Sequence, residues 1–522
     1  MQRISVITGA IAGALTMLPA LALSYLAYRL ALLPFLPFDL FDWLARVLPG
    51  SVVTTGIDTL IAFLRAVGIP TSSAKVVEQF VAFVIMLLIG AVAGALIAVL
   101  LRRTTVGGWR LGLTVGLFLL LLFVFVEGSL GFGGNGLVVF GWIALLLGGW
   151  GAALGALLER MAAPEQTSAE RRSFVFRAAV AALAVALGGW GIGRLVGPRG
   201  ADEGAGEPLA SSPGGEPAPD LPPPPEGRIE PVPGTRAELT SNEDFYRIDI
   251  NSVPPVISLD DWHLDVAGLF RNARSLSLED IMAYPAVTQA LTLSCISNWV
   301  GGDLIGTSYW TGARLRDVLE DLGLQPEAGA LYLEAEDGFY ETVVAEDMMD
   351  ERTLLVYAMN GETLPVEHGF PLRIYIPNRY GMKQPKWIVR MEAIEAWRPG
   401  YWVDRGWSME ARPHIVSVID TLAAEPDAEG IVPVGGIAWA GDRGISRVEL
   451  QVDDGPWEEA ELRTPPLSGL TWVQWRYNWR ATEGRHTLTV RATDGAGALQ
   501  IAEEQDVHPD GATGYHSVRA RI

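Results

Sequence analysis

The chain has a single cysteine, Cys295, in Leu291-Thr-Leu-Ser-Cys-Ile-Ser-Asn-Trp299. An apolar strand pattern ends at Ser294 and a loop with Gly301 and Gly302 follows. A strand end that opens into a loop is where a side chain can face a cleft. Three chemistries are open to this thiol. It can be an inert buried group, a nucleophile with a histidine base such as His368 or His414, or a soft thiolate ligand to a transition metal. One cysteine excludes internal disulfides, cysteine-based zinc sites, iron–sulfur clusters and covalent c-type haem, which all need more than one. The six histidines (His263, His368, His414, His486, His508 and His516) all lie beyond residue 200, so the first part of the chain cannot hold a bis-histidine haem.

Other residues suited to ligand chemistry follow Cys295. Arg373 can present a bidentate fork to a phosphate, and Lys386 adds a point charge. Each candidate has a plain structural reading too. Arg373 can pair with Glu367, His368 can be a satisfied loop residue, and Asp337 before Gly338 can close its own turn. The run Trp397-Arg-Pro-Gly-Tyr-Trp-Val-Asp-Arg-Gly-Trp407 is dense in aromatic rings and arginine. It reads as a seam between domains at Trp397 and as the wall of a substrate funnel at Arg405 and Trp407.

In order along the chain, several motifs resemble the molybdenum-pterin domain of the sulfite oxidase family. They are Thr292-Leu-Ser-Cys-Ile-Ser-Asn298 with Gly301-Gly-Asp-Leu-Ile-Gly306, then Glu336-Asp-Gly-Phe339, Met359 to Arg373 and Tyr380-Gly-Met-Lys-Gln-Pro-Lys-Trp387. Ahead of them, Asn242-Glu-Asp-Phe-Tyr-Arg-Ile248 resembles the family's leading segment. The resemblance covers about residues 240–510. It implies that Cys295 ligates molybdenum, with the remaining sulfurs from the pterin. It implies pterin or phosphate contacts at Asn242, Phe245, Tyr246, Arg247, Asn251, Asp337, His368, Arg373, Gln384, Pro385 and Lys386. The sequence departs from sulfite oxidases after the cysteine, where Ile296-Ser-Asn-Trp-Val carries no arginine. Trp407 stands near the position of those enzymes' catalytic tyrosine. An arginine pocket for sulfite is thereby put in question, with Arg379 and Arg405 as the replacements to place.

The elements that must hold these residues differ along the chain. Its 522 residues call for three or more units. Residues 1–200 carry 14 basic and 8 acidic side chains, a net +6, while the rest carries 25 and 52, a net −27. The basic, apolar first part reads as membrane-embedded; the acidic remainder argues against nucleic acid. Five apolar runs are long enough to cross a bilayer: 5–28, 77–101, 111–130, 136–158 and 174–196. Residues 30–70 read as short or interfacial helices. Arg3, the Arg102 to Arg110 group and the Arg160 to Arg177 group fall on one side by the positive-inside rule, which places everything after 197 outside the cytoplasm. Glu127, at a span end, reads as a solvated cap. Arg171-Arg172 before the fifth run resembles a twin-arginine export signal.

The expected fold class is multi-domain. A transmembrane α-helical domain spans 1–197 and a Pro/Gly-rich linker spans 198–235. An α+β sulfite-oxidase-like molybdopterin domain spans 236–420, and an Ig-like β-sandwich of the family's dimerisation type spans 421–522. The expected protein is a multi-pass cell-membrane oxidoreductase with Mo-molybdopterin as cofactor. It transfers an oxygen atom and two electrons to or from a small substrate outside the cytoplasm, by sulfite-like oxidation or S-/N-oxide reduction. Catalysis would rest on Cys295, Arg405 and Trp407. No haem or cluster is encoded in these residues, so the expected electron partner is a cytochrome or a quinone-linked membrane protein, with a homodimer as family inference. A cysteine hydrolase and a non-catalytic surface-binding protein are the alternatives.

Overall fold

The computed structural model describes residues 4–131, 135–162, 168–195, 205–206, 221–423 and 425–522. Most of the 198–235 linker lies outside them. The chain forms two compact units. One comprises Met1–Leu48, Ser73–Ala201 and Asp249–Val253, and the other Pro49–Ser72, Asp202–Ile248 and Pro254–Ile522.

The first unit is helical, with α1 (Val6–Ala31) and α2 (Leu36–Val47). After α3 (Gly50–Ala66), which belongs to the second unit, come α4 (Ala74–Arg103), α5 (Gly108–Leu130), α6 (Gly136–Ala162) and α7 (Ser168–Leu195). Glycines set the helix pairing. A Cβ on Gly13 of α1 would lie 1.9 Å from Gly90 O of α4, and one on Gly112 of α5 would lie 1.9 Å from Gly151 O of α6. Such close backbone approach suits helices that cannot draw on the hydrophobic effect for their association. Among the described residues four helices, α1, α4, α5 and α6, are long and apolar enough to cross a membrane. In α7 the apolar stretch among the described residues is the shorter Val180–Leu195. Arg171 and Arg172 fall on the α7 backbone, and their side chains lie outside the described set. Glu127 is not a solvated cap: it is buried beside Asp39, because α2 folds over that end of α5.

In the second unit a five-stranded antiparallel sheet runs in the order β2 (Ala286–Ser294), β3 (Ile305–Arg314), β6 (Leu354–Met359) and β7 (Glu362–Thr363), with β8 (Arg373–Tyr375) also on β6. A smaller sheet runs β1 (Asp265–Gly268), β9 (Ile388–Ile394), β4 (Ala330–Ala335) and β5 (Tyr340–Val344), with β1 and β9 parallel. Their apolar faces share one core with Leu264, Leu319, Leu333, Leu355, Ile374 and Trp387, all nearly inaccessible. β6 is buried along its whole length, which accounts for its continuous apolar sequence, and β3 is buried up to Ala313. The C-terminal region is two four-stranded antiparallel sheets. One holds β10 (Val416–Leu422), β11 (Ile431–Trp439), β15 (Val473–Arg480) and β14 (Glu461–Leu462). The other holds β13 (Trp457–Glu459), β12 (Ile445–Val452), β16 (Arg485–Asp494) and β17 (His516–Arg521). Alternating residues such as Val448, Leu450, Leu488 and Val490 fill their common core. The end of the linker lies along the second unit: Pro222 O accepts from Tyr309 Oη at 2.8 Å and Val232 is buried.

Candidate active site

β2 delivers Cys295 to its C-terminal end, where Cys295 N donates to Leu304 O (2.9 Å). The loop that follows is closed by Asn298, whose Oδ1 accepts Leu304 N (2.9 Å), and by Gly302 N on Trp299 O (2.8 Å). Asn298 is thus a structural part of the site that its position three residues after the cysteine did not reveal. Cys295 is buried, and among the described residues its side-chain partner is Ser297 Oγ at 3.0 Å. Burial pushes its thiol pKa up. Among the described residues no imidazole hydrogen-bonds to Sγ. A thiol of this kind is a poor nucleophile, but coordination would deprotonate it outright.

Two aromatic groups flank the cysteine. On one side Phe245 is a hub. It stacks on Tyr246 (centroids 5.3 Å apart) and meets Trp310 (5.6 Å) and His368 (5.5 Å) edge to face. Burial, and the nearby Cys295, push the Tyr246 pKa well up. Gly381 leaves room for this ring, since a Cβ there would lie 3.2 Å from Tyr246 Oη. On the other side Ile296 packs in a cluster with Tyr380, Met382, Trp407 and the partly buried Trp299 and Trp402. Trp407 is buried, its ring meets His508 at 5.0 Å, and its Nε1 has no partner.

The cations gather with Phe245. The turn Val366–His368 ends at Gly369, whose φ is +113° and whose Cβ would meet Arg373 Cβ and Lys386 Cβ at 3.1 Å. Glycine is required there on both counts, and it brings β8 against the Gln384–Lys386 loop. His368 Nε2 donates to Asn242 O (2.9 Å). Burial, with Lys386 close by, pulls its pKa down to about 3, so it is neutral. Arg373 is buried and donates to His368 O (3.0 Å), with its guanidinium 4.8 Å from the Trp310 ring. Burial lowers its pKa to about 10. Among the described residues no carboxylate pairs with Arg373. Glu367 instead accepts Lys386 Nζ on its backbone oxygen (3.0 Å). Gln384 is buried and spends both amide hydrogens on Ile376 O and Arg379 O (3.2 and 2.9 Å), and its Oε1 has no donor.

A buried, uncompensated guanidinium is costly unless an anion joins it. Together with the free Gln384 acceptor and the free Trp310 Nε1 donor, it fits an anionic, hydrogen-bonding group such as a pterin phosphate. Asn242, Phe245, Tyr246, His368, Arg373 and Gln384 surround this region, with Pro385 and Lys386 on the adjoining loop. Asp337 is buried and spends Oδ1 on its own turn (Phe339 N, 3.0 Å). Asn251 is not in this group: its Oδ1 accepts Arg46 Nη2 (3.0 Å) in the helical unit. Asn360, at φ +52°, is one that sequence reasoning missed. It bonds Asn242 Oδ1 (2.9 Å) and Thr240 O (3.0 Å) and so holds the leading segment.

Neither candidate arginine is spare. Arg379 grips both oxygens of Asp347 (2.9 and 3.0 Å) and donates to Glu410 O (2.8 Å). Arg405 donates to Tyr401 O (2.8 Å) and lies 3.5 Å from the Tyr401 ring. Gly50 of α3 packs on it, since a Cβ there would lie 2.8 Å from Arg405 Cα.

The family model of the oxidoreductase molybdopterin binding domain matches residues 250–402. The chain is 35% identical over 169 residues to the uncharacterized oxidoreductase YuiH of Bacillus subtilis, which covers 32% of this chain and 83% of YuiH. It is 29% identical over 282 residues to sulfite oxidase of Arabidopsis thaliana, covering 44% and 71%. It is 27% identical over 147 residues to the putative protein-methionine-sulfoxide reductase subunit YedZ1 of Azospira oryzae, covering 28% of this chain and 54% of YedZ1. This chain is therefore a molybdopterin-dependent oxidoreductase and belongs to the sulfite oxidase family.

Proposed function

We propose that this protein is a membrane-anchored reductase of small, neutral S-oxides or N-oxides, working outside the cytoplasm. The observation that carries the substrate class is the aromatic cluster of Trp299, Tyr380, Met382, Trp402 and Trp407 that packs with Ile296 next to Cys295, beside which Arg379 and Arg405 are already engaged; we read it as the wall of the substrate side. One guanidinium about 4 Å from a unit negative charge contributes about 4 kcal/mol near a protein surface. That is roughly three orders of magnitude in affinity, and an aromatic wall cannot supply it to sulfite. A neutral oxide needs no such partner, and the unpartnered Trp407 Nε1 is a donor suited to its oxygen. The name of YedZ1 points the same way, and that of the Arabidopsis enzyme points to oxidation.

When bound, the molybdenum–pterin group supplies the two-electron transfer of an oxygen atom. The chain's own part is binding and exclusion. Cys295 provides the thiolate ligand, and Arg373, Lys386 and neutral His368 hold the phosphate. Asn242, Phe245, Tyr246 and Arg247 frame the pterin, with Gln384 Oε1 as an acceptor beside it. Trp407 and its neighbours keep water from the reacting side, and Arg405 braces Tyr401. The four long apolar helices, with the shorter apolar stretch of α7 read as a fifth crossing and the basic loops inside, support the extracytoplasmic placement, with electrons supplied by a cytochrome or a quinone-linked membrane protein. The C-terminal sheets are read as the Ig-like sandwich through which the family dimerises. A cysteine hydrolase is disfavoured, because among the described residues no imidazole hydrogen-bonds to the Cys295 thiol.

The test is a substrate comparison on the full chain purified from a host that makes the cofactor. Viologen-driven reduction of dimethyl sulfoxide, trimethylamine N-oxide and methionine sulfoxide is measured beside ferricyanide-coupled sulfite oxidation. The expected result is at least about 100-fold higher kcat/KM for an oxide than for sulfite, less than the full charge term allows. Efficient sulfite oxidation with no oxide turnover would overturn the reading.

A further inference from the structure

The segment Asp249–Val253 belongs to the helical unit, not to the unit that contains its neighbours on both sides. It is gripped by two helices, each through two residues one turn apart. From α2, Asp42 Oδ1 accepts both Ser252 N (2.9 Å) and Ser252 Oγ (2.7 Å), and Arg46 Nη2 donates to Asn251 Oδ1 (3.0 Å). From α4, Gln79 Nε2 donates to Ser252 O (2.9 Å), and Lys75 Nζ lies 3.7 Å from Asp249 Oδ1. The i, i+4 spacing puts Asp42 with Arg46, and Lys75 with Gln79, on one face of each helix. Every polar group of Ser252, its N–H, its carbonyl and its hydroxyl, is thus taken by a helix side chain. Ser252 and Asp42 are both buried. A passive tether needs no such fit, and the preceding Pro/Gly-rich stretch already provides one.

We propose that the helical unit does more than anchor the protein: through Asp42 it positions the segment Asn242–Arg247 that frames the cofactor. The inference rests on the cofactor reading above. Arg247 and Asp249 are two residues apart, which is at most about 7 Å of chain. A clamped Asp249 therefore restricts where Arg247 and Tyr246 can lie. Ligand-bearing segments held by such outer contacts keep their pose, and those left loose lose it. Asp42 touches neither cofactor nor substrate, so it is a positioning residue.

The experiment uses the full chain in detergent, from a host that makes the cofactor, with molybdenum per chain and the molybdenum EPR spectrum as readouts. Asp42→Ala removes both bonds to Ser252. It is expected to lower molybdenum content at least threefold and to shift the EPR spectrum. Asp42→Asn keeps an oxygen that accepts both bonds and is expected to restore both readouts. Ser252→Ala and Gln79→Ala each remove one bond and should fall between; they carry the test if Asp42→Ala fails to fold. A monodisperse Asp42→Ala protein with wild-type molybdenum and EPR overturns the proposal, and so does an Asp42→Asn protein as impaired as Asp42→Ala. Wild-type protein without molybdenum overturns instead the cofactor reading on which it rests.

Discussion

Replacing Arg373 by methionine separates the stability of the site from its use. The guanidinium is buried with no carboxylate partner among the described residues, and its pKa falls from 12.5 to about 10. Keeping it charged therefore costs the cofactor-free protein about 3 kcal/mol. Methionine of similar length removes that cost. It also loses the hydrogen bond to His368 O, worth about 1 kcal/mol, and the contact with Trp310, worth about 1 kcal/mol. The net expectation is a cofactor-free protein about 1 kcal/mol more stable than wild type, as buried ion sites often become when made apolar. The same change removes a charge-assisted bond to the phosphate. That loss is about 1.5–3 kcal/mol, a 10- to 100-fold weaker hold on the cofactor. The assay is denaturant unfolding followed by tryptophan fluorescence in protein from a cofactor-deficient host, with molybdenum content measured in protein from a competent one. A cofactor-free Arg373→Met protein destabilised by about 2 kcal/mol or more would show that Arg373 already has its counter-charge. Wild-type molybdenum content in the variant would show that the arginine does not hold the phosphate. Either result refutes the assignment.

Other expectations follow from the same geometry. In cofactor-free protein at pH 8, Cys295 should react with iodoacetamide at least about tenfold more slowly than an exposed thiol, because burial raises its pKa; fast alkylation would revive the nucleophile reading. Trp407→Arg should place a guanidinium in the aromatic wall and raise kcat/KM for sulfite relative to a neutral oxide by about 10-fold or more; unchanged selectivity would remove Trp407 from the substrate wall. His368 has a folded-state pKa of about 3 against an ordinary 6.5. The unfolded chain thus binds the proton first, and stability is full above about pH 6.5 and lost as pH falls toward 3. At pH 5 the cofactor-free protein should be about 2 kcal/mol less stable from this group alone. His368→Gln should lack that increment when urea midpoints at pH 7.5 and 5 are compared, and an equal pH response would contradict a neutral buried imidazole.

Much of the local structure of the candidate site was legible because it is set by near neighbours in the chain. Cys295 at a strand end, Gly369 beside His368 and Arg373 on a short strand are all set by residues within a few positions of one another. The alternation of Val448-Glu-Leu-Gln-Val452 likewise announced a two-faced strand. What was not legible depends on distant partners. Asn251 reads as part of the leading segment, but Arg46, some two hundred residues earlier, takes it away. Glu127 reads as a solvated cap until α2 covers it. Asn360 and Asn298 look like turn residues, and only the fold shows that they brace Asn242 and the cysteine loop.

By itself the sequence determined the classes of element, the apolar helices before the acidic domain, the single possible thiolate ligand and the family to which its motifs belong. Side-chain type, periodicity and glycine placement are short-range properties, and they survive being read one residue after another. The tertiary structure decided the charge balance. Among the described residues it left Arg373 without a carboxylate, it engaged Arg379 and Arg405, and it packed an aromatic cluster on Ile296, next to Cys295. Whether a buried charge is compensated depends on every group packed around it. Those groups come from β3, β8 and the loops around them, and only folding brings them together.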